Sequence, residues 1–599
     1  MIREKDWRVY AKRADFNEIA GRLGISPVMA RVLVNRDLDT YEKQEEYLYG
    51  NLNSIPDAGQ MRGLDEAVLL LQTKMKEHRK IRIISDYDVD GVTSNYILYD
   101  GLMRLGADVS YDIPDRIRDG YGMNVRLVEE AYADGVDTLL TCDNGIAAFA
   151  AIDRAKELGM TVIVTDHHQV QEGILAADVI VDPWQPLCSY PFKEICGAEV
   201  AYKLIRRLSE AEGRPLGMTD YLEFVALGTV CDVMPIIREN RILVREGMRI
   251  MPDTPNIGLR ALLAENGLLD GRGITVYHLG FIIGPSINSE GRLATAKEAM
   301  DLLLEKDPER AAQRAKAIRE LNEERKAATE EGVSRAVQVL EQDGIPERDK
   351  VLVLHIPELH ESLAGIVAGK IRERYYRPVI VFTDSADDPE ILKGSARSIK
   401  EYNIFEALTS AKDLLDHFGG HPMAAGASVR REKLDALRER LNEEARLTKE
   451  DLTEKVYIDV PMPLCRADLA LARQLEQLEP FGTGNPKPLF ADRRLRVVGT
   501  ELSPSGKLLK VNLRDENGNY LQVKTFSAEM MLSDIKMWSE CDDCGKIINY
   551  PMLDIIYRID VNEYNGREYL DCWVEHYRRR HAEESYIRLI KANRKGEEL

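Results

Sequence analysis

Between residues 81 and 235, short apolar runs alternate with amphipathic stretches of helical length. The runs are IRIIS (81–85), ADVSYDI (107–113), DTLLT (137–141), MTVIVT (160–165) and ADVIV (177–181). Each run has the length and the β-branched content of a buried strand. Strands and helices that alternate in this way predict a mostly parallel sheet with helices on both faces, which is an α/β fold.

Acidic and histidine residues follow three of these runs. They are Asp86, Asp88 and Asp90 after IRIIS, Asp143 after DTLLT, and Asp166, His167 and His168 after MTVIVT, with Asp232 further on in FVALGTVCDVMP. A single aspartate after a strand is usually a helix N-cap or a turn residue. However, the carboxyl ends of parallel strands meet at one edge of an open sheet, where ligands bind, and clustered carboxylates repel one another unless cations lie between them. Oxygen and imidazole ligands favour manganese or magnesium, and two such ions about 4 Å apart can activate water for phosphoryl displacement.

The remaining chain divides into three kinds of sequence. Residues 296–345 are highly charged, and we expect a solvent-exposed connecting helix there. A second α/β unit follows at 350–430, with VLVLHI and PVIVF as strands. After about residue 455 the runs RRLRVVGTEL, LLKVNLRD and YLQVKTF, separated by turn residues, predict a small antiparallel barrel.

Composition excludes several classes of protein. The 81 basic and 101 acidic residues give a net charge of −20, which excludes a nucleic-acid binder that works by bulk positive charge but not one with local basic strips. No run of 18 apolar residues predicts a membrane span, and MIREKDWRVYAKRADF lacks the apolar core of a signal peptide. The eight scattered cysteines favour a reducing, cytoplasmic location. Cys541-x-x-Cys544 has no second pair nearby, which disfavours zinc, and no GxxxxGK[ST] motif predicts ATP hydrolysis.

Several motifs resemble those of a known superfamily. DYDVDGVTS, CDNGI, TDHH and ALGTVCDVMP resemble, in order and spacing, the motifs of the DHH phosphoesterases. LHESLAGIVAGKIRERYYRPVIVF, KGSARSI and FGGHPMAAG resemble the DHH-associated domain, and LEPFGTGNPKPLF (478–490) is similar to the segment that precedes the OB-fold of RecJ exonucleases. The resemblance covers roughly residues 50–570. It implies two α/β lobes (DHH and DHH-associated) joined by a long helix and followed by a β-barrel OB-fold.

The domains expected on this basis are an N-terminal helical segment (1–60), a DHH domain (61–240), a helical connector (241–345), a DHH-associated nucleotide-binding domain (346–445), an OB-fold (446–580) and a basic tail (581–599). For the tail we expect a solvated helix, with a DNA or partner contact as the alternative. Tyr520 and Phe526 are candidate base-stacking residues of the barrel, although we expect Phe526 to pack in the core.

The resemblance also implies a set of site residues. The metal ligands would be Asp86, Asp88, Asp90, Asp143, His167 and Asp232. Asp143 would bridge two ions, and His168 would contact or position the scissile phosphate, which makes Asp143 and His168 the catalytic residues. Substrate would be held by Arg116, Arg118, Asn288, Arg292, Ser395, Arg397 and a Gly-rich turn of Gly419, Gly420 and His421. The alternatives are ordinary surface positions for the two arginines of PDRIRDGYG, and a structural turn with a packed imidazole for His421.

Two departures from the family pattern concern substrate binding. GPSINSEGR has Ser286 where the family usually has arginine, so one phosphate contact is missing or moved. Leu359-His360 replaces the usual Trp-His.

The function implied by the resemblance is exonucleolytic hydrolysis of single-stranded DNA from the 5′ end, in DNA repair and recombination. It would use two divalent cations, with manganese preferred and magnesium possible. One alternative is a phosphodiesterase for short oligonucleotides or cyclic dinucleotides, which would not need the barrel. Another is a non-catalytic scaffold, which would be expected to have lost metal ligands. We further expect a monomer, no membrane association, and a single-strand-binding protein or a helicase as partner.

Overall fold

The computed structural model describes residues 5–115, 119–170, 173, 175–293, 296–342, 344–385, 388–544, 547–580 and 588–590. Contacts divide the chain into two compact units, which are described separately. One is Ile55–Glu454; the other combines the residues up to Ser54 with those from Lys455 onward. Among the described residues, no helix is both long enough and apolar enough to cross a membrane.

The N-terminal segment contains one strand and three helices: β1 Asp6–Tyr10, α1 Phe16–Leu23, α2 Pro27–Asn35 and α3 Tyr41–Tyr49. The segment expected to be helical therefore also holds a strand. α2 begins at Pro27 because the Ser26 hydroxyl accepts a hydrogen bond from the Met29 N–H, and proline is well suited to the first helical position.

The first lobe is a five-stranded parallel sheet of order β3-β2-β4-β5-β6, which confirms the predicted α/β fold. Its elements are α4 Leu64–Lys76, β2 Ile81–Ser85, α5 Val89–Leu105, β3 Val109–Asp112, α6 Val125–Ala133, β4 Thr138–Cys142, α7 Phe149–Glu157, β5 Thr161–Thr165, β6 Val179–Val181, α8 Gly197–Ala211 and α9 Leu222–Cys231. Ser85 pairs with Cys142, and Cys142 pairs with Thr165. The loops after β2, β4 and β5 therefore leave the sheet at the same level.

The connector is helical: α10 Arg238–Ile250, α11 Ile257–Glu265, α12 Val276–His278, a π-helical turn Leu279–Ile283, α13 Gly284–Leu293, α14 Lys297–Leu304, α15 Pro308–Gln342 and α16 Ile345–Arg348. The 35-residue α15 is the predicted long helix. It is not simply solvated, because one stripe is buried: Ala311, Ala315, Ile318, Asn322, Arg325, Thr329, Gly332, Ala336 and Leu340. These residues recur at spacings of three and four, but most are small or polar, so apolar periodicity did not reveal the buried side.

The second lobe has a five-stranded sheet of order β10-β11-β9-β8-β7, in which only the β7–β8 pair is parallel. Its elements are β7 Leu352–His355, α17 Glu361–Tyr375, β8 Val379–Asp384, β9 Ile391–Arg397, α18 Ile404–Ser410, β10 Leu415–His421, β11 Ala424–Arg430 and α19 Leu434–Glu444. Gly419, Gly420 and His421 do not form the expected turn. They end β10, where Gly419 pairs with Gly426 and His421 pairs with Ala424.

The C-terminal part contains a closed barrel. Its elements are β12 Lys455–Ile458, β13 Val460–Pro461, α20 Leu469–Glu476, β14 Phe490–Leu502, β15 Leu509–Arg514, β16 Tyr520–Thr525, α21 Ala528–Trp538, β17 Glu540–Cys541, β18 Ile547–Asn549, β19 Met552–Tyr564, β20 Arg567–Arg579 and β21 Arg588–Ile590. The strands β14-β15-β16-β20-β19 pair in that order, and β19 returns to β14. Lys524 faces Trp573 across the parallel β16–β20 pair. This five-stranded closure is that of an OB-fold, which confirms the barrel prediction.

The segments at the two chain ends belong with this barrel. β1 lies between β12 and β21 and is parallel to both. Leu33 of α2 and Leu48 of α3 are buried in the same core cluster as Phe490 and Tyr557 of the barrel. Within the tail 581–599, Arg588–Ile590 forms a strand rather than the expected helix, and the other tail residues lie outside the described part of the chain.

Candidate metal centre

The loop after β2 places three carboxylates in one tight turn. Asp88 caps α5, because its Oδ1 accepts hydrogen bonds from the N–H groups of Asp90 (2.9 Å) and Gly91 (3.1 Å). A Cβ on Gly91 would lie 2.3 Å from the carbonyl oxygen of Asp86, so only glycine allows the chain to fold back this closely. The turn therefore holds Asp86, Asp88 and Asp90 at the carboxyl edge of the sheet.

Three carboxylates converge on the His167 imidazole. Its Nε2 lies 3.0 Å from Oδ1 of Asp143, and 3.6 Å from Oδ2 of both Asp90 and Asp232. The ring also forms a hydrogen bond to the backbone of Ile195, and burial lowers the pKa of His167. A neutral imidazole oriented from behind by a backbone group is the usual state of a histidine metal ligand.

The possible ligand atoms form three overlapping groups, in each of which all atoms lie within 4.8 Å of one another: Asp86, Asp88 and Asp143; Asp90, His167 and Asp232; and Asp143, His167 and His168. Asp143 and His167 each belong to two groups. Asp143 links the group of Asp86 and Asp88 to the group of His167 and His168, and His167 links the latter to Asp90 and Asp232.

The electrostatics of the cluster fit a cation. Burial, followed by repulsion from Asp90, raises the pKa of Asp143 well above its ordinary value and that of Asp232 to about 8. Burial also raises the pKa of Asp88. Among the described residues, the buried Oδ2 of Asp232 has no hydrogen-bond donor. Carboxylates held together at this cost are stabilised by divalent cations, and the mixed oxygen and imidazole donors suit manganese or magnesium.

The N-terminus of α8 holds Asp90 in place. The backbone N–H groups of Gly197 and Ala198 donate to its two carboxylate oxygens at 2.6 and 2.9 Å. A Cβ on Gly197 would lie 2.7 Å from Cβ of Asp143. The close approach of α8 therefore requires glycine there, and the positive end of the helix stabilises the carboxylate. No sequence motif pointed to these two residues.

His168 is held differently from His167. Its Nδ1 lies 2.7 Å from Oδ1 of Asp166, and this contact outweighs burial and raises the pKa of His168 to about 9. The Tyr121 hydroxyl donates to the carbonyl of Asp143 at 2.8 Å and lies 3.3 Å from Nδ1 of His168. The site thus carries one cationic imidazole beside its carboxylates. Tyr121 was missed by the sequence analysis, although it lies in the PDRIRDGYG segment that supplied Arg116 and Arg118.

In the second lobe, Ser395 and Arg397 lie together on β9. Arg397 Nη1 lies 3.3 Å from the Ser395 hydroxyl and donates to the Ala396 carbonyl at 2.8 Å. A Cβ on Gly365 of α17 would come within 3.0 Å of both side chains, so this glycine leaves room beneath them. The exposed segment Gly419–His421 lies on β10, two strands away from β9, a backbone spacing of about 10 Å.

The departure at Ser286 has a structural counterpart in α15. The buried Ser286 hydroxyl donates to the Ile282 carbonyl and accepts from Asn322 Nδ2 at 3.1 Å. Asn322 in turn accepts from Nε of Arg325 at 3.0 Å. Arg325 is 9% exposed, and burial lowers the pKa of its guanidinium, against the opposing charge of Glu323. A buried arginine is therefore linked through Asn322 and Ser286 to α13, the helix that carries half-buried Asn288.

The outer face of the barrel combines cations with exposed aromatic rings. Tyr520 is 73% exposed, with Arg514 5.1 Å from its ring centroid. Phe526 is 67% exposed and stacks on Trp573 with centroids 4.7 Å apart, so the expectation that it packs in the core was wrong. Lys524 lies over Trp573 at 5.9 Å. Trp573 was missed because its strand, β20, was not predicted.

The predicted residues therefore form separate groups. The six predicted metal ligands and His168 lie at one edge of the first sheet. Ser395 and Arg397 are on β9, and Asn288 is on α13. Arg116 and Arg118 lie outside the described residues, as does the side chain of Arg292.

Comparisons with known families cover each part of this architecture. Residues 80–229 match the N-terminal domain of the DHH family, residues 348–447 match the DHHA1 domain, and residues 458–576 match the RecJ OB domain. The metal cluster from Asp86 to His168 and the lobe with Ser395 and Arg397 each lie within one matched region. Asp232 lies just beyond the end of the DHH match, and the barrel is matched as far as residue 576.

Similar whole proteins extend the match across the chain. The chain is 32% identical over 568 residues to the single-stranded-DNA-specific exonuclease RecJ of Bacillus subtilis, covering 94% of this chain and 69% of that protein. It is 31% identical to the Escherichia coli protein of the same name, covering 92% and 96%.

Solved structures agree. The crystal structure of RecJ from Thermus thermophilus in complex with Mn²⁺ matches with a TM-score of 0.79 at 29% identity, covering 96% of this chain and 80% of that one. A second structure of that protein is a complex with Mg²⁺ and matches with a TM-score of 0.72. From the domain matches, the identity over nearly its whole length and the shared fold, this chain belongs to the RecJ family.

Proposed function

We propose that the protein is a divalent-metal-dependent exonuclease that hydrolyses single-stranded DNA from its 5′ end. The observation that carries the proposal is the cluster of three overlapping donor groups at the carboxyl edge of the parallel sheet, in which Asp143 and His167 each belong to two groups. Similar proteins named as single-stranded-DNA-specific exonucleases support the substrate class.

The donor sets support two divalent cations. Asp86, Asp88 and Asp143 would hold one ion, and Asp90, His167 and Asp232 would hold the other. Asp143 is proposed to bridge the two ions, because its Oδ1 also lies 3.0 Å from His167 Nε2. We propose manganese as the preferred ion and magnesium as the alternative, because the donor groups combine imidazole nitrogen with carboxylate oxygen. When bound, such a pair supplies an activated water and charge stabilisation for in-line displacement at phosphorus.

The chain's own groups do the remaining work at this edge. His168 is cationic through most of the physiological pH range, because its contact with Asp166 raises its pKa to about 9. We propose that it donates a hydrogen bond to a phosphate oxygen at the cleaved bond. Two residues keep its ring in place. The Asp166 carboxylate contacts Nδ1 of His168, and the Tyr121 hydroxyl lies between the His168 ring and the Asp143 carbonyl.

Other groups would hold the strand. Arg397 and Ser395 offer a planar guanidinium and a hydroxyl, which suit a terminal phosphate, and this contact would set the 5′ polarity. Arg325 is proposed to supply the positive charge that the serine at 286 does not. Asn288, Arg292, Arg116, Arg118 and the Gly419–His421 segment remain proposed substrate contacts.

The barrel face would grip the strand beyond the catalytic lobes. Tyr520, Phe526 and Trp573 offer ring faces to bases, and Arg514 and Lys524 offer charge to the backbone. OB-folds bind single strands through this combination of stacking and charge. A monomer is part of the proposal, with a single-strand-binding protein or a helicase as the partner that presents the strand.

Digestion of end-labelled DNA tests the proposal. The protein is chelated, reconstituted with Mn²⁺ or Mg²⁺, and given single-stranded and duplex DNA labelled at the 5′ or the 3′ end. We expect 5′ label to be released first as mononucleotide from single strands, with duplex DNA resistant. Release of 3′ label first would overturn the polarity. Hydrolysis of dinucleotides or cyclic dinucleotides without cleavage of long strands would favour the small-substrate alternative.

A further inference from the structure

Two exposed aromatic rings stack on each other in the connector. Tyr277 and Phe281 are 62% and 66% exposed. Their ring centroids lie 5.1 Å apart, and the ring planes are inclined by 18°. Contiguous apolar surface that stays in water is where proteins bind partners or ligands, which makes this pair a candidate binding surface. Neither residue has a role in the metal centre or in the barrel face.

The backbone beneath the pair points to function as well. Leu279–Ile283 forms a π-helical turn, in which the Gly284 N–H donates to the Leu279 carbonyl. Turns of this kind are rare and occur frequently at functional sites. Leu279 and Ile283 are fully buried, so the helix is fixed on one side while Tyr277 and Phe281 face solvent.

The pair lies on an element that packs against Cys231, the residue next to a carboxylate of the metal centre. A Cβ on Gly284 would come 2.4 Å from Sγ of Cys231, and the Cys231 thiol contacts the Leu279 carbonyl at 3.6 Å. Cys231 immediately precedes Asp232, whose carboxylate joins the cluster. The π-helical turn is therefore held against the end of α9 that delivers Asp232.

The same helix leads from the pair toward a proposed substrate contact. Asn288 lies seven residues beyond Phe281, which at about 1.5 Å per residue is about 10 Å along the helix. Stacked nucleotides rise about 3.4 Å each, so this distance corresponds to about three of them. The spacing suits rings that contact bases a few nucleotides away from those held near Asn288.

We propose that Tyr277 and Phe281 form a stacking platform for bases of a single-stranded nucleic acid. The proposal rests on the proposed function and adds a binding site to it. Stacking accepts any base, because every base has a flat π face, and therefore suits an enzyme that moves along strands of any sequence. The position of the pair beside the Asp232 end of α9 favours substrate over a protein partner as its occupant.

The test compares point variants of the full-length protein. Tyr277→Ala and Phe281→Ala remove the rings singly and together, and Tyr277→Phe keeps the ring but loses the hydroxyl. Tyr132→Ala is the matched control, because Tyr132 is 51% exposed but sits at the end of α6 that leads into the start of β4, at the opposite edge of the sheet. Affinity for fluorescent oligothymidylate is measured in chelator, and KM and kcat are measured with Mn²⁺.

We expect each alanine variant to weaken binding of a 20-nucleotide strand by about 5- to 150-fold, the range for loss of one stacked base. KM should rise while kcat stays near the wild-type value. Tyr277→Phe and Tyr132→Ala should behave as wild type. If all the alanine variants bind the oligonucleotide as tightly as wild type does, the platform proposal is overturned. A protein partner would then remain as the candidate occupant of this surface.

An abasic scan locates the contact. One abasic nucleotide is moved stepwise along the strand, and wild type is compared with the double alanine variant. We expect the affinity of wild type to fall when the abasic nucleotide occupies one or two adjacent positions. The affinity of the double variant should be the same for those strands as for the intact strand. A loss that is the same at every position would contradict stacking by this pair. If wild type itself leaves single strands uncut, the proposed exonuclease function fails. That outcome is distinguishable from failure of the stacking platform, in which wild type cuts single strands but the alanine variants bind them as tightly as wild type does.

Discussion

Asp232→Asn should stabilise the metal-free protein while weakening its response to divalent cations. Burial and the neighbouring carboxylates raise the pKa of Asp232 from 3.8 to about 8. Each pKa unit corresponds to about 1.4 kcal/mol, so keeping this group ionised above pH 8 costs at most roughly 6 kcal/mol. The side chain is a quarter exposed and shares its charge with coupled neighbours, so about 2–5 kcal/mol is the expected range. The amide is isosteric and neutral, so the substitution removes the cost without leaving a cavity.

Thermal unfolding in chelator and in Mn²⁺ at pH 8 measures the effect. Globular proteins have an unfolding entropy of about 2.1 cal/mol/K per residue, or about 0.8 kcal/mol/K for the 400-residue unit Ile55–Glu454. The metal-free variant should therefore melt about 3–6 °C above metal-free wild type in the transition of that unit. An ion at one hundred times its Kd stabilises the folded protein by about 2.7 kcal/mol. This should raise the melting temperature of wild type by about 3 °C and that of the variant by much less.

Asp153→Asn is the matched control, because Asp153 is an exposed carboxylate on α7. It should leave both melting temperatures unchanged. The reasoning is refuted if Asp232→Asn melts below wild type in chelator, or if Mn²⁺ stabilises it as much as it stabilises wild type.

Three further outcomes follow from the same geometry. The stability of the chelated protein should fall as pH rises from about 4 to 9, for two reasons. Folded Asp232 keeps a proton up to about pH 8 that the unfolded chain loses near pH 3.8, and the stabilisation from protonated His168, fully present below pH 6.5, is lost by about pH 9. The melting temperature measured in Mn²⁺ should depend less on pH. Arg397→Ala should weaken handling of 5′-phosphorylated strands roughly ten- to hundred-fold, measured as kcat/KM against the same strand with a 5′ hydroxyl, and equal losses on both strands would contradict a phosphate contact. Phe526→Ala should weaken binding of long single strands by about 5- to 150-fold but leave cleavage of very short oligonucleotides unchanged, and unaltered binding of long strands would show that the barrel face is not the grip.

The first lobe was predictable because its signals are local. A parallel strand buried on both faces is a short apolar run, and the run IRIIS is directly followed by the acidic turn that it positions. Sheet topology then brings the three loops to one edge without further information from the sequence. Chain order therefore placed Asp143 and His167 at this edge, and the resemblance to the DHH motifs assigned them as ligands.

The residues that were missed act through contacts that leave no local pattern. Arg325 lies in a charged helix whose buried stripe is small and polar, so its burial depends on α13 packing against it. Gly197 and Ala198 hold Asp90 through backbone N–H groups, which any residue type carries.

The barrel shows a third reason for failure. β20 alternates buried and exposed side chains only in part, and its last residues, HYRR, look like the start of a basic tail. Without β20 the partner of Phe526 was unknown, so an exposed stacked ring was expected in the core.

The measurement closest to the central claim is cleavage of end-labelled single-stranded DNA by chelated protein to which Mn²⁺ is restored, in wild type and in Asp143→Asn. Asp143 belongs to the group with Asp86 and Asp88 and also contacts His167 of the other group, so its loss should disable both ions at once while the fold is kept. We predict no cleavage in chelator, full recovery of wild type with Mn²⁺, and at least about a thousandfold lower rate for the folded variant, equivalent to about 4 kcal/mol of transition-state stabilisation. Cleavage by wild type in chelator, or a wild-type rate for Asp143→Asn, would contradict the claim.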